Sequence, residues 1–203
     1  IAAGMVSVHD NTVTNLFKDA NGTTGAMYGI YQNSSTGSAK NYNNTVNNIR
    51  NTGTTAVTYG YYNFGSVATG TEEVYNNVYR DIYSKSGGVC IGINAATGLS
   101  SSTIQKNIYG NDVFNIANDS IGQTGGIRVD YVTYGDIYSN RIYNISNNQN
   151  TASLPATYGM LLGATIVGAN YNVYNNMISE IDAPISNSAL GVLGLWVNGG
   201  DTA

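Results

Sequence analysis

Apolar and polar positions along this chain follow one phrase that occurs six times. An apolar residue or Tyr is followed at the second position by Asn, two later by an apolar residue, and three later by Ile or Leu. The Asn markers are Asn11, Asn44, Asn77, Asn111, Asn140 and Asn176, spaced by 33, 33, 34, 29 and 36 residues. Three residues before each marker stand Val8, Asn41, Val74, Ile108, Ile137 and Val173; two after it stand Val13, Val46, Tyr79, Val113, Ile142 and Ile178. Five after it stand Leu16, Ile49, Ile82, Ile116, Ile145 and Ile181. Columns so rich in β-branched residues favour strands. A period of this size marks a supersecondary unit that stacks on its own neighbours.

Asn tolerates a left-handed backbone better than most residues other than Gly, so each marker is predicted to turn one strand directly into the next. Stacked once per unit, the six side chains are also expected to hydrogen-bond along a vertical file. A third strand, introduced by Gly, is expected in each unit at Tyr28-Gly29-Ile30, Tyr59-Gly60-Tyr61, Gly87-Gly88-Val89, Gly125-Gly126-Ile127, Tyr158-Gly159-Met160 and Leu190-Gly191-Val192. Loops of Gly, Ser, Thr and Asn vary in length between strands and explain the uneven period. Pro155 and Pro184 fall in such connections, where no ladder donor is needed. The pattern predicts an all-β protein, a parallel β-helix of about six coils with three strands each, occupying 1–203 as a single domain. Right-handed coiling is the default for parallel crossovers, and rungs of about 4.8 Å give a prism of roughly 30 Å.

The phrases Val74-Tyr75-Asn76-Asn77-Val78-Tyr79, Tyr138-Ser139-Asn140-Arg141-Ile142-Tyr143-Asn144-Ile145 and Tyr174-Asn175-Asn176-Met177-Ile178-Ser179-Glu180-Ile181, alternating with Tyr-Gly-Ile-Tyr, carry a resemblance. The whole chain resembles the right-handed parallel β-helix repeat regions of large secreted and cell-surface proteins from Bacteroidota and related environmental bacteria. That resemblance implies an extracellular or cell-surface location within a longer polypeptide, and it supplies no catalytic motif.

Charge placement agrees with the stacking. Lys40 and Glu73, Glu72 and Lys106, and Asp112 and Arg141 each share a column in adjacent coils, and are expected as surface pairs that align the rungs. Charged residues make up only 10% of the chain, so Asn, Ser, Thr and 17 Tyr supply much of its polar surface. Eight Lys and Arg against a net charge of −4 exclude a basic nucleic-acid face. No apolar run is long enough for membrane insertion. Cys90, the single cysteine, lies in an apolar run and reads as a packed free thiol.

The residues two before the markers form the most suggestive surface column: His9, Tyr42, Tyr75, Tyr109, Tyr138 and Tyr174. Alternation sends them outward, as a stacking platform for sugar rings, a docking surface for another chain, or cross-strand contacts that stabilise the sheet. Many parallel β-helices cleave polysaccharides, and that chemistry needs paired carboxyls or a base beside a cation. Arg128, Asp130, Asp136 and Arg141 are the best candidates for such a group. No Thr column persists for ice binding, the Gly-rich calcium-binding repeat is absent, and no metal or cofactor is implied. Asp119-Ser120-Ile121 and Asp201-Thr202-Ala203 look like O-glycosylation signals of Bacteroidota secreted proteins; in a eukaryotic source Asn21, Asn33 and Asn118 would instead be N-linked acceptors.

Neither end carries a capping helix or charged lid, and Trp196 in the final strand is expected to pack on whatever follows. These features favour a non-catalytic structural or adhesive segment of a longer solenoid or fibre, with further coils or other copies as partners. A carbohydrate-binding or carbohydrate-cleaving β-helix, with glycans as partners, is the alternative.

Overall fold

The computed structural model describes residues 4–19, 25–33, 37–53, 56–65, 68–85, 87–98, 103–149, 156–163 and 169–198. These residues form eighteen β-strands and no helix. The first three coils comprise β1 (Met5–His9), β2 (Thr12–Lys18), β3 (Met27–Gln32), β4 (Ser38–Tyr42), β5 (Thr45–Asn51), β6 (Thr58–Asn63), β7 (Thr69–Tyr75), β8 (Val78–Ser84) and β9 (Cys90–Ala95). The next three comprise β10 (Thr103–Tyr109), β11 (Asp112–Asn118), β12 (Thr124–Asp130), β13 (Tyr134–Tyr138), β14 (Arg141–Asn147), β15 (Thr157–Gly163), β16 (Asn170–Tyr174), β17 (Met177–Asp182) and β18 (Val192–Asn198). Every third strand pairs in parallel, giving three six-stranded sheets: β1-β4-β7-β10-β13-β16, β2-β5-β8-β11-β14-β17 and β3-β6-β9-β12-β15-β18. The parallel β-helix read from the phrase is the fold.

The six markers line up in one file at the corner between the first two sheets. The amide N–H of Asn44 donates to Asn77 Oδ1 at 2.9 Å, and Asn77 repeats this toward Asn111 at 3.1 Å. Each Nδ2 adds a bond to the same oxygen, as in Asn111 to Asn140 at 2.9 Å. It also reaches back to a carbonyl in the preceding coil, such as Val74 O from Asn111 or Ile108 O from Asn140. One side chain thus satisfies buried turn groups that would each cost about 1–3 kcal/mol if left unpaired.

The turn itself is not where it was expected. The markers do not have positive φ; the residues before them do. Asp10, Asn43, Asn76, Gly110, Ser139 and Asn175 lie between 53° and 64°, which frees the marker to point inward. A second left-handed file falls four residues after the markers, at Asn15, Asn48, Asp81, Asn115, Asn144 and Glu180. Residues three apart in a regular strand face opposite sides. The left-handed residue between them resets the alternation, so Val46 and Ile49, or Val113 and Ile116, both enter the core.

Two exceptions in the apolar columns answer each other: the Tyr79 hydroxyl donates to Asn41 Oδ1 at 2.7 Å, and both are fully buried.

The third strands also correct the expectation. Their glycine lies inside the strand and does not introduce it. The file runs Gly29, Gly60, Gly92, Gly126, Gly159, Gly194, and Gly88 and Gly191, expected there in coils three and six, lie outside it. A Cβ on Gly60 would stand 2.5 Å from Gly92 O, so only glycine lets the coils approach here. These glycines break alternation again: residues one before and two after each glycine share the outer face, while Ile30, Tyr61, Ile93, Ile127 and Met160 point inward.

All three charge pairs fall in the expected register. Lys40 and Glu73 meet at 2.6 Å, and Arg141 and Asp112 at 3.4 Å, on the outside. Glu72 and Lys106, expected at the surface, are instead in the core, 3.0 Å apart and essentially without solvent exposure. Trp196 packs beside Leu161 on the outer face of the third sheet and is partly buried there. Val192, Leu195 and Val197 of β18 are each between 44% and 48% exposed.

Candidate functional site

Among the described residues, three places concentrate chemistry-bearing side chains: the tyrosine file, the buried polar corner and the outer face of the third sheet.

The tyrosine file forms as expected on the outer face of the first sheet. Ring centroids from Tyr42 through Tyr75, Tyr109 and Tyr138 to Tyr174 are 4.8–5.0 Å apart, with planes within 3°. His9 caps the file at 4.7 Å from Tyr42 and pairs with Asp10 at 2.7 Å. Partial burial, then the nearby Glu73 carboxylate, raise the Tyr109 pKa. Because the ring spacing equals the rung spacing, each inner ring has a neighbour over both faces. The file presents ring edges and hydroxyls, so the flat platform foreseen for sugar rings is occupied by the tyrosines themselves.

The four candidate catalytic residues are not brought together. Arg128 Nε donates to Asp130 Oδ2 at 2.8 Å on the third sheet. Asp136 accepts from Asn172 Nδ2 at 2.9 Å on the first sheet, and Arg141 pairs with Asp112 on the second. Each carboxylate has its own partner on its own sheet, because the strands that carry them belong to different sides of the prism.

The polar corner lies between the end of the third sheet and the start of the first. Tyr61 Oη stands 3.1 Å from Gln32 Oε1 and 3.2 Å from Glu72 Oε1, and Asn63 Nδ2 donates to Glu72 Oε1 at 2.9 Å. Lys106 Nζ donates to Ala95 O at 2.6 Å besides pairing with Glu72. Desolvation pulls the Lys106 pKa down, while Glu72 works in the opposite sense. Burial pushes the Tyr61 hydroxyl far up. The cluster is sealed from solvent, which suits a structural role. Cys90 is likewise buried and free, its thiol pKa raised by burial.

The outer face of the third sheet was not singled out from the sequence, although its signal was visible in Tyr28-Gly29-Ile30-Tyr31 and Tyr59-Gly60-Tyr61-Tyr62. Simple alternation places the two tyrosines of each phrase on opposite faces; the in-strand glycine puts them on the same one. Tyr59 and Tyr62 stack at 4.7 Å, Tyr28 lies 5.7 Å from Tyr59, and Phe64 continues the group 5.9 Å from Tyr62. Next in register come Asn94 and then Arg128. Burial works against the Arg128 charge, yet Asp130 beside it holds the guanidinium pKa above its ordinary value. Tyr59 is pushed up to about 12, first by burial and then by Tyr62.

Among the described residues no cluster of three or more His, Cys, Asp or Glu is placed to hold a metal, and no helix is long and apolar enough to cross a membrane. Asn118, a candidate glycan acceptor, is fully buried and donates to Gly88 O and Gly122 O, both at 3.2 Å. In the Asp119-Ser120-Ile121 signal, Ile121 is exposed beyond the strand end. Asn21–Thr23, Ser34 and Ser35 of the Asn33 sequon, Pro155 and Asp201–Ala203 lie outside the described residues. Comparison with protein-family models, with curated proteins and with solved structures finds no match.

Proposed function

We propose that this chain is a non-catalytic structural or adhesive β-helix segment, exposed outside the cell, whose task is to span distance and present its side faces. The observation that carries this reading is the polarity of the asparagine file. At one end Asn11 N–H and Nδ2 both donate to Asn44 Oδ1, and among the described residues none donates to Asn11 Oδ1. At the other end Asn176 Oδ1 is filled by Asn140, and Asn176 Nδ2 donates to Ile137 O. Each rung donates on one side and accepts on the other in the same way, and a repeated heterologous contact of this kind extends without closing. The apolar residues of β18 exposed beside it offer a surface for the next coil.

The partner is therefore another β-helical coil, from the same polypeptide or from a second copy. The repeated Tyr-x-Asn phrases support placing the segment in the large secreted proteins of Bacteroidota and their environmental relatives. Sparse charge and uncharged polar loops suit a long inert stalk. Sedimentation velocity and negative-stain electron microscopy of the purified chain over a hundredfold concentration range test the reading. Rods lengthening with concentration, shortened by Leu195→Glu, are the expected result. Monodisperse monomers at every concentration, with Leu195→Glu indistinguishable, would count against end-to-end stacking.

A further inference from the structure

We propose that the outer face of the third sheet in coils one to four is a binding site for a neutral polysaccharide. This is independent of the rod reading, since a stalk with or without end contacts would carry the same face. Sugar rings offer two kinds of surface: C–H patches that pack on aromatic rings, and hydroxyls that need donors and acceptors. Both complements are here side by side.

The aromatic half differs from the tyrosine file in being open. Tyr31 meets Tyr28 at 52° and Tyr62 at 32°, so among the described residues no ring lies parallel over it, and half its surface is in solvent. Phe64 is half exposed as well.

The polar half begins one coil further on. Asn94 is about 95% buried, being only 5% exposed, and its Oδ1 has no hydrogen-bond partner. Its register neighbours on the outer face are Tyr62 and Arg128. A buried acceptor without a donor is costly; Oδ1 is closed to solvent in the free chain, so a ligand hydroxyl supplies the missing proton where Tyr62 or Arg128, its register neighbours, gives way. Arg128 and Asp130 add a planar donor–acceptor pair beside it, bonded at 2.8 Å. Because that pair carries no net charge, it recognises hydroxyls without attracting a sugar acid, which selects the neutral class.

Affinity electrophoresis in native gels containing xyloglucan, galactomannan or laminarin tests this, with polygalacturonate as the acidic control. The expected result is retardation by at least one neutral polysaccharide and none by polygalacturonate. Tyr31→Ala and Tyr62→Ala should each weaken it about tenfold, the equivalent of about 1.4 kcal/mol for a ring contact. Tyr109→Ala, in the closed file, should leave it unchanged. Should Tyr62→Ala lose its strand signal in circular dichroism, half-exposed Tyr31→Ala carries the test alone. The proposal is overturned if no neutral polysaccharide retards the chain, if only polygalacturonate does, or if Tyr31→Ala binds as tightly as the parent.

Discussion

Two corners of the prism solve the same problem in opposite ways. Where the first sheet turns into the second, one residue type is used six times, and each asparagine from Asn11 to Asn140 donates to Oδ1 of the next. Where the third sheet turns into the first, the solution changes from coil to coil. Gln32 and Asn63 give way to Ala95, Val129 and Leu162, and one ion pair joins coils three and four. The repeated corner extends to any length because every rung is equivalent. The irregular corner specifies position. Sliding coil four by one rung would set buried Lys106 against Ala39 or leave Glu72 against Gly135, with neither charge paired.

Alkali strikes both corners and gives the largest effect. Tyr79 at the first and Tyr61 at the third are fully buried, as is Tyr158, and burial raises all three above their ordinary value of 10.0. An acid whose folded pKa is raised keeps its proton in the folded chain while the unfolded chain loses it. Stability is therefore intact below pH 10 and falls as pH climbs, by about 1.4 kcal/mol per pH unit for each such tyrosine. Lys106 has the opposite sign: its folded pKa lies below 10.5, so the unfolded chain holds the extra proton and stability from this group rises toward pH 10.5. One lysine does not offset three tyrosines. Urea titrations between pH 9 and 11.5 should show the midpoint falling, and Tyr79→Phe should flatten that fall.

Breaking the irregular corner by one residue comes next. Lys106→Ala strands Glu72 in the core and should cost about 3–5 kcal/mol, whereas the double change Glu72→Leu with Lys106→Leu should recover most of it. Chemical denaturation of the three variants measures both numbers. A double variant as unstable as the single would mean that packing, and not the stranded charge, sets the cost.

For the repeated corner the cost should depend on rung. Asn77→Ala leaves the Asn44 N–H without its acceptor, leaves Asn44 Nδ2 with Val8 O alone, and takes the side-chain donor from the Asn41 carbonyl, for about 2–4 kcal/mol. Asn11→Ala removes donors only and should cost about 1 kcal/mol or less. Equal losses at both positions would show that the file does not act as a chain of shared bonds.

The contrast also explains what was legible in the sequence. The asparagine file, the apolar columns and the register of Lys40 with Glu73 could be read because the same residue recurs at the same offset. The left-handed turns were misplaced by one residue, since their positions are shared among Asn, Asp, Ser and Gly and show no single letter. The inward turn of Glu72 and Lys106 was missed because nothing in one coil announces that a charge will find its partner in the next. The open aromatic face was missed for a related reason: strict two-residue alternation fails wherever a glycine or a left-handed residue resets the strand. Half of the candidate site rests on that local rule, and the other half, Asn94 with Arg128 and Asp130, comes from three non-equivalent positions.

The smallest effect is the most direct test of register on the outside of the prism. Lys40 and Glu73 are partly exposed and 2.6 Å apart, and the hydrogen bond to Glu73 raises the Lys40 pKa. A pair so open to solvent contributes only about 0.2–1 kcal/mol. Lys40→Glu should therefore lose a little stability, now setting two carboxylates on adjacent rungs. Adding Glu73→Lys restores opposite signs at the same positions and should return the chain to parental stability within the same range. Because the two side chains are 33 residues apart in sequence, recovery on swapping requires that these columns face each other in solution. Additive losses, with no recovery in the swapped chain, would place coils two and three in a different register from the one described.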